Sequence, residues 1–210
     1  WGIAPGNRKN VDTTATVNDL GLRGDLVTVP RPAGEERIVI LGDSTFFGHG
    51  VSDDDTMSAV LQARLTHTTV INGGIPGYST EQTRRLLDEI IWDLEPTLLI
   101  LGCFWSDNIY ESYRDKDLFA TREIQASTLL VHSAFMRWLA TSLSGLRPSE
   151  DGRIVTWVHG GELPKATHRR VELADYVANL DWIIREAAKR NIGVILLSPP
   201  AKVEIGRAHV

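Results

Sequence analysis

The chain has 210 residues, 42% hydrophobic and 23% charged, an ordinary globular composition with enough apolar material for one substantial core. Its 27 acidic residues outnumber the 22 basic ones, giving a net charge of −5 with no basic stripe to follow a phosphate backbone, so nucleic acid is not an expected partner. Cys103 is the only cysteine, which excludes an intrachain disulfide and a zinc site built from cysteines; no apolar run approaches the ~20 residues of a membrane helix.

Residues 1–36 are rich in Gly, Pro, Asn and Thr and are expected to form an irregular arm. The first residue is Trp1, not Met, which leaves the compartment open: extracytoplasmic or membrane-anchored if a leader lies upstream of Trp1, cytoplasmic otherwise. Regular structure is expected from Arg37. Ile38 to Leu41 is a continuous apolar run ended by Gly42, the pattern of a strand buried on both faces of a parallel sheet. From about Asp55, read as an N-cap, Met57, Val60, Leu61 and Leu65 recur at helical spacing. The acidic run Asp53 to Asp55 suits a solvated cap better than a divalent-ion patch, and no metal or cofactor is expected.

Thr69 to Asn72 reads as a short strand, and Ser79 or Thr80 as the cap of a second helix that buries Leu87, Ile90, Ile91 and Leu94 before Pro96 stops it. Thr97 to Gly102 and Gly193 to Ser198 are two further strands of the buried type. Between them are expected a helix near Glu123 to Leu143, a polar loop from Gly145 to Gly152, a short strand at Arg153 to Val158, and a helix from Leu173 to Arg190. Leu173, Tyr176, Val177, Leu180, Ile183 and Ile184 would mark the inner face of that last helix. The alternation predicts an α/β domain, a parallel sheet with helices on both sides.

In such sheets ligands collect beyond the carboxyl ends of the strands. Three strand ends carry chemistry. Gly42-Asp-Ser-Thr45 puts a serine on a tight turn, where its hydroxyl can attack and its own N–H can face a developing oxyanion. Asn72-Gly-Gly-Ile-Pro-Gly77 brings glycine backbone close to a substrate oxygen, or is an ordinary turn. Gly102-Cys-Phe-Trp-Ser106-Asp107-Asn108 offers a polar cluster with an amide donor, or a capped loop entry. Phe46, Phe47, Phe104 and Trp105 are either walls of an apolar acyl pocket or core.

These three blocks, in this order, resemble the SGNH/GDSL hydrolase family. The resemblance covers Arg37 to Asn108 and extends to Leu173 to Pro200; Asn18-Asp-Leu-Gly-Leu-Arg-Gly24 is similar to the arm that precedes the catalytic block in many bacterial members. It implies a three-layer α/β/α fold with a flavodoxin-like parallel sheet over residues 37–204, incomplete at its C-terminal end. It also implies Ser44 as nucleophile, with Ser44, Gly77 and Asn108 forming the oxyanion hole and Asp43, Ser106 and Asp107 as supporting or alternative residues. Two departures stand out. The third block of the family reads Asn-Asp where this chain has Ser106-Asp107, and the C-terminal Asp-x-x-His has no match, since no histidine here has an aspartate three residues before it.

His49 reads as a cleft wall sooner than a base, His159 could reach the site from a loop but is not the favoured base, and His67, His132 and His168 read as surface or core fillers. Ile205 to Val210 resembles the translation of a common sequencing adapter, so His209 is set aside and the natural protein is expected to continue past about Val203. The resemblance implies an ester hydrolase that works through an acyl-enzyme on a lipid, an acetylated glycan or a small ester. A glycan O-acyltransferase of the same fold and an inactive SGNH-like binding module remain open alternatives. The base would lie beyond the chain, which by itself is expected to be nearly inactive.

Overall fold

The structure is a computed structural model, and it describes residues 6–10, 13–102, 105–117, 147–148, 154–155 and 167–198. The chain packs as two compact units, residues 1–109 with 171–210, and residues 110–170.

The first unit is built on a parallel sheet. Its strands are β3 (Glu36–Gly42), β4 (Thr68–Gly74), β5 (Leu98–Gly102) and β10 (Gly193–Leu196), in the order β10-β5-β3-β4. Ahead of them β1 (Gly6–Asn10) and β2 (Thr13–Val17) form an antiparallel hairpin within the segment expected to be irregular. Between the sheet strands lie a single helical turn α1 (Ser44–Phe47), then α2 (Met57–Gln62), α3 (Thr80–Leu86) and α4 (Leu173–Lys189). α3 runs on through a π-helical turn, Leu87–Ile91, and a 3-10 turn, Trp92–Leu94. Each expected strand of this sheet is present, shifted by no more than the residues at its ends.

The register sorts the strand residues into two faces. Val39 pairs with Ile71 and Leu99, and Leu99 with Val194; these point to one face. There they pack with Leu86, Leu87, Ile91 and Leu94 of the α3 segment and with Ile183 and Ala187 of α4, a continuous buried core. The other face carries Asn72, Ile40, Ile100 and Ile195 in one row. α2 covers its β4 side, where the Ser58 hydroxyl accepts from the Asn72 amide at 3.1 Å. Cover thins toward β10: Ile40 is 1% exposed and Ile195 45%. The helix layers on both faces follow from right-handed crossovers, since the chain reverses its direction across the sheet after β4.

The next row on the α2 face is three glycines, Gly74, Gly42 and Gly102, side by side on adjacent strands. The Phe46 ring lies on Gly42 and Gly102, and the backbone of Phe46 and Phe47 on Gly74. A Cβ on Gly42 would come 2.4 Å from the ring and one on Gly102 2.0 Å, while one on Gly74 would meet the backbone of Phe47 at 2.3 Å. The turn carrying Ser44 is thereby seated on the sheet with no room for any side chain beneath it.

Three helical expectations are corrected. Thr56, not Asp55, caps α2, its hydroxyl accepting from the Ala59 N–H at 3.2 Å, while Asp53–Asp55 form a preceding 3-10 turn. The α2 stripe is turned outward: Met57 and Val60 are 41% and 43% exposed, because the strand opposite presents the Asn72 amide, which binds Ser58. On α4 the buried positions are Asn179, Ile183 and Ala187, whereas Leu173, Val177 and Ile184 are exposed. Polar bonding to α3 sets that rotation: Asn179 donates to the Thr80 hydroxyl at 3.0 Å and accepts from Arg84 at 2.8 Å.

In the second unit β6 (Tyr110–Glu111) pairs antiparallel with β9 (His168–Arg169), and β7 (Arg147–Pro148) with β8 (Ile154–Val155). Asp115 holds Arg170 through two bonds of 3.1 and 2.9 Å. The expected strand at Arg153 to Val158 is represented by β8; the expected helix near Glu123 to Leu143 lies outside the described residues.

Alanine at Gly102 forces its methyl group into the Phe46 ring, overpacking of the kind that costs about 1–3 kcal/mol. Denaturant unfolding of Gly102→Ala is expected to show that loss, and the double variant Gly102→Ala/Phe46→Ala a smaller additional loss than Phe46→Ala shows in the wild-type background.

Candidate active site

β3 leaves the sheet at Gly42 and turns at once into α1. Asp43 is 2% exposed and caps the turn, its carboxylate accepting from the Thr45 N–H at 2.9 Å while its carbonyl accepts from the Phe47 N–H at 2.9 Å. Gly48 closes the turn in the left-handed region, φ 83°, a conformation that favours glycine. Ser44 is half-buried at the first helical position, where its N–H has no intrahelical acceptor. Among the described residues no group bonds the Ser44 hydroxyl.

Gly77 lies on the exposed loop after β4, also left-handed with φ 80°. The loop ends on Ser79, which caps α3 through a reciprocal capping box with Gln82. Tyr78, beside Gly77, is not a base at neutral pH: burial foremost, then the charge of Glu89, pushes its hydroxyl up to about 12.

In the block after β5, Ser106 and Asp107 are each 4% exposed, and Asn108 is exposed. Asp107 faces α3. Its carboxylate accepts from the Thr80 N–H at 3.0 Å and from the Thr80 hydroxyl at 2.5 Å, and its carbonyl accepts from the Val171 N–H at 3.2 Å. The chain Asp107, Thr80, Asn179, Arg84 ends where the Arg84 guanidinium lies 4.6 Å over the Trp182 ring. Asp107 thus anchors the loop that carries Ser106 and Asn108 to the start of α3.

Of the aromatic residues weighed for an acyl pocket, Phe47 is core, 7% exposed and clustered with Ala15 and Val17. Phe46 is the seat of the turn, Trp105 is 66% exposed, and Phe104 lies outside the described residues. His49 is exposed just past α1, its N–H donating to the Ser44 carbonyl at 3.0 Å, and His67 is exposed at a left-handed φ of 53°. His168 is half-buried in β9, while His132, His159, His209 and the suspected adapter peptide lie outside the described residues.

Arg23 is a buried polar residue that sequence inspection leaves unassigned. It is 5% exposed, with bonds to the carbonyls of Phe47, Gly48 and Val51 and to Asp53. Its signal in the sequence is its place between Gly21 and Gly24, both left-handed, in the segment that resembles the family's arm. Burial alone would raise the Asp53 carboxyl, but hydrogen bonds from Arg23 and Thr16 and the charge of Arg23 outweigh it and hold the group below its ordinary 3.8. No group of three or more potential metal ligands occurs among the described residues.

No protein-family model matches the chain, and no curated protein does. Among solved structures it is similar to the SGNH-hydrolase family esterase AlinE4 at 20% identity, over 81% of this chain and 62% of that one, with a TM-score of 0.42. It is similar to a lipase/acylhydrolase from Enterococcus faecalis at 20% identity, over 79% and 58%, TM-score 0.43. It is also similar to a catalytic mutant of Axe2, an acetylxylan esterase from Geobacillus stearothermophilus, at 16% identity, over 80% and 62%, TM-score 0.44. The chain spans 58–62% of the length of these three structures.

Two outcomes follow from the polar contacts. Asp107→Ala leaves the Thr80 donors without their acceptor and is expected to lower stability by about 1–3 kcal/mol in denaturant unfolding. Because the Asp53 value is lower in the folded than in the unfolded chain, its charge stabilises the fold above about pH 4, and that contribution fades as the pH falls through the folded value. The melting-temperature gap between wild type and Asp53→Asn should be widest near neutrality and narrow progressively as the pH falls below about 4.

Proposed function

We propose that the protein is a serine ester hydrolase of the SGNH/GDSL type with Ser44 as nucleophile. The observation that supports this most is topological. Ser44, Gly77 and the Ser106 to Asn108 block follow the carboxyl ends of β3, β4 and β5, three adjacent parallel strands, where ligands of open α/β sheets collect.

In this mechanism the Ser44 hydroxyl attacks the acyl carbonyl, and its proton passes to a base. The backbone N–H groups of Ser44 and Gly77, with the Asn108 amide, face the oxygen on which charge develops. Collapse of the tetrahedral intermediate releases the alcohol and leaves an acyl-Ser44 ester, which water then hydrolyses to the acid. We assign the third donor to Asn108 over Ser106 because its exposed amide takes no partner among the described residues and has the longer reach. Turnover requires a histidine oriented by an acidic group. That base comes either from an Asp-x-x-His block outside these 210 residues or from one of the five histidines other than His209 within them.

The test uses the protein of the complete reading frame with a chromogenic short-chain ester. Ser44→Ala is expected to remove turnover by at least about a thousandfold, and Asn108→Ala to lower kcat by about a hundredfold. The larger loss in Ser106→Ala would instead make Ser106 the donor. Retained turnover in Ser44→Ala, or no esterase activity in the wild type, rejects the assignment; the second result favours a binding module.

A further inference from the structure

We propose that Arg23, paired with Asp53, is a positioning residue for the nucleophile: a guanidinium clamp on the exit of the Ser44 turn that holds Ser44 in place beyond the carboxyl end of β3. The proposal rests on the assignment of Ser44 in the previous section.

α1 is one turn of four residues, too short to hold its own shape. Its entrance is held by the Asp43 carboxylate and its underside by the glycine row, but its exit presents carbonyls with nothing helical to bond. Arg23 meets them. Its Nη1 donates to the Phe47 carbonyl at 2.9 Å and to the Gly48 carbonyl at 2.7 Å, and its Nη2 to the Val51 carbonyl at 2.8 Å. Its Nε donates to Asp53 at 2.8 Å, and the cation lies 4.9 Å over the Phe47 ring. The Asn72 amide adds a 3.3 Å bond to the same Phe47 carbonyl. These carbonyls belong to the last residue of the turn and to the chain just beyond it.

The backbone behind the side chain is fixed as well. The Asn18 side chain accepts from the Leu20 and Leu22 N–H groups at 3.0 and 3.1 Å, folding the loop before Arg23. The Arg23 backbone then bridges to Val17 on one side and to Asn72 of β4 on the other. Asp53 is held in turn by the Thr16 N–H at 3.0 Å. The arm, the acidic turn before α2 and the edge strand therefore converge on Arg23, through its guanidinium or its backbone. A planar fork can serve three carbonyls and a carboxylate at once, whereas an ammonium cannot reproduce that geometry. Small misplacement of a reacting group is costly: about 1 Å can lower a rate by about a hundredfold.

The experiment compares wild type, Ser44→Ala, Arg23→Lys and Asp53→Asn of the complete-frame enzyme, with active sites counted by the burst of a chromogenic ester. The clamp predicts that Arg23→Lys lowers kcat per titrated site by about tenfold or more with KM within about twofold of wild type. Asp53→Asn, which keeps an acceptor for the Arg23 Nε, should lower it by at least about threefold, and it decides the matter if Arg23→Lys does not fold. A merely structural Arg23 would reduce the titrated fraction and the melting temperature while leaving kcat per site below those limits of change, and that result overturns the proposal. Retained turnover in Ser44→Ala overturns the nucleophile assignment and the clamp with it; loss in Ser44→Ala with unchanged kcat per site in Arg23→Lys overturns the clamp alone.

Discussion

The row of Gly74, Gly42 and Gly102 is the constraint on which the rest of the site depends. Strand spacing in a sheet is fixed near 4.8 Å, so three side-chain-free positions in one register row leave a shallow flat recess. The Phe46 ring fills it over Gly42 and Gly102, and the backbone of Phe46 and Phe47 over Gly74. A helical turn of four residues has little stability of its own, and this contact gives it an apolar anchor against the sheet. Ser44, two residues before the ring, is thereby held at the end of the central strand pair instead of on a swinging loop.

Around that anchor the interior is more polar than the strand pattern suggests. On the α2 side Arg23, Asp53, Asn72, Ser58 and Thr56 form one bonded group. At the start of α3, Asp107, Thr80, Asn179 and Arg84 form another. Buried polar groups are costly when unpaired and specifying when paired, and here the two groups tie the first and third strand-end loops to their neighbouring helices. The hydrophobic core fixes which elements pack together, and the polar groups fix how those elements are rotated and where the loops leave.

The four strands of the parallel sheet, a cap at Ser79 or Thr80 and the three strand-end blocks were legible because each rests on a local signal: continuous apolar runs, capping chemistry and glycine before a turn. Leu87, Ile91 and Leu94 are buried as their spacing requires. The faces of α2 and α4 were not legible, since Ser58 and Asn179 outcompete the apolar stripes through partners far away in sequence. Arg23 escaped notice for the same reason. An arginine in a glycine-rich arm reads as surface, and only the return of residues 47–53 beneath it supplies the acceptors that make its burial favourable.

The glycine seat also divides the site into a part that can diversify and a part that cannot. Below Ser44 no side chain can be added on any of three strands, so the proposed nucleophile has one fixed origin. The loops above it, with Trp105 and Asn108 exposed, carry no such restriction. Under the proposed assignment, a change of substrate would arise by altering loop length and side-chain size at the rim, with the floor held constant: one frame beneath the serine, many shapes around it.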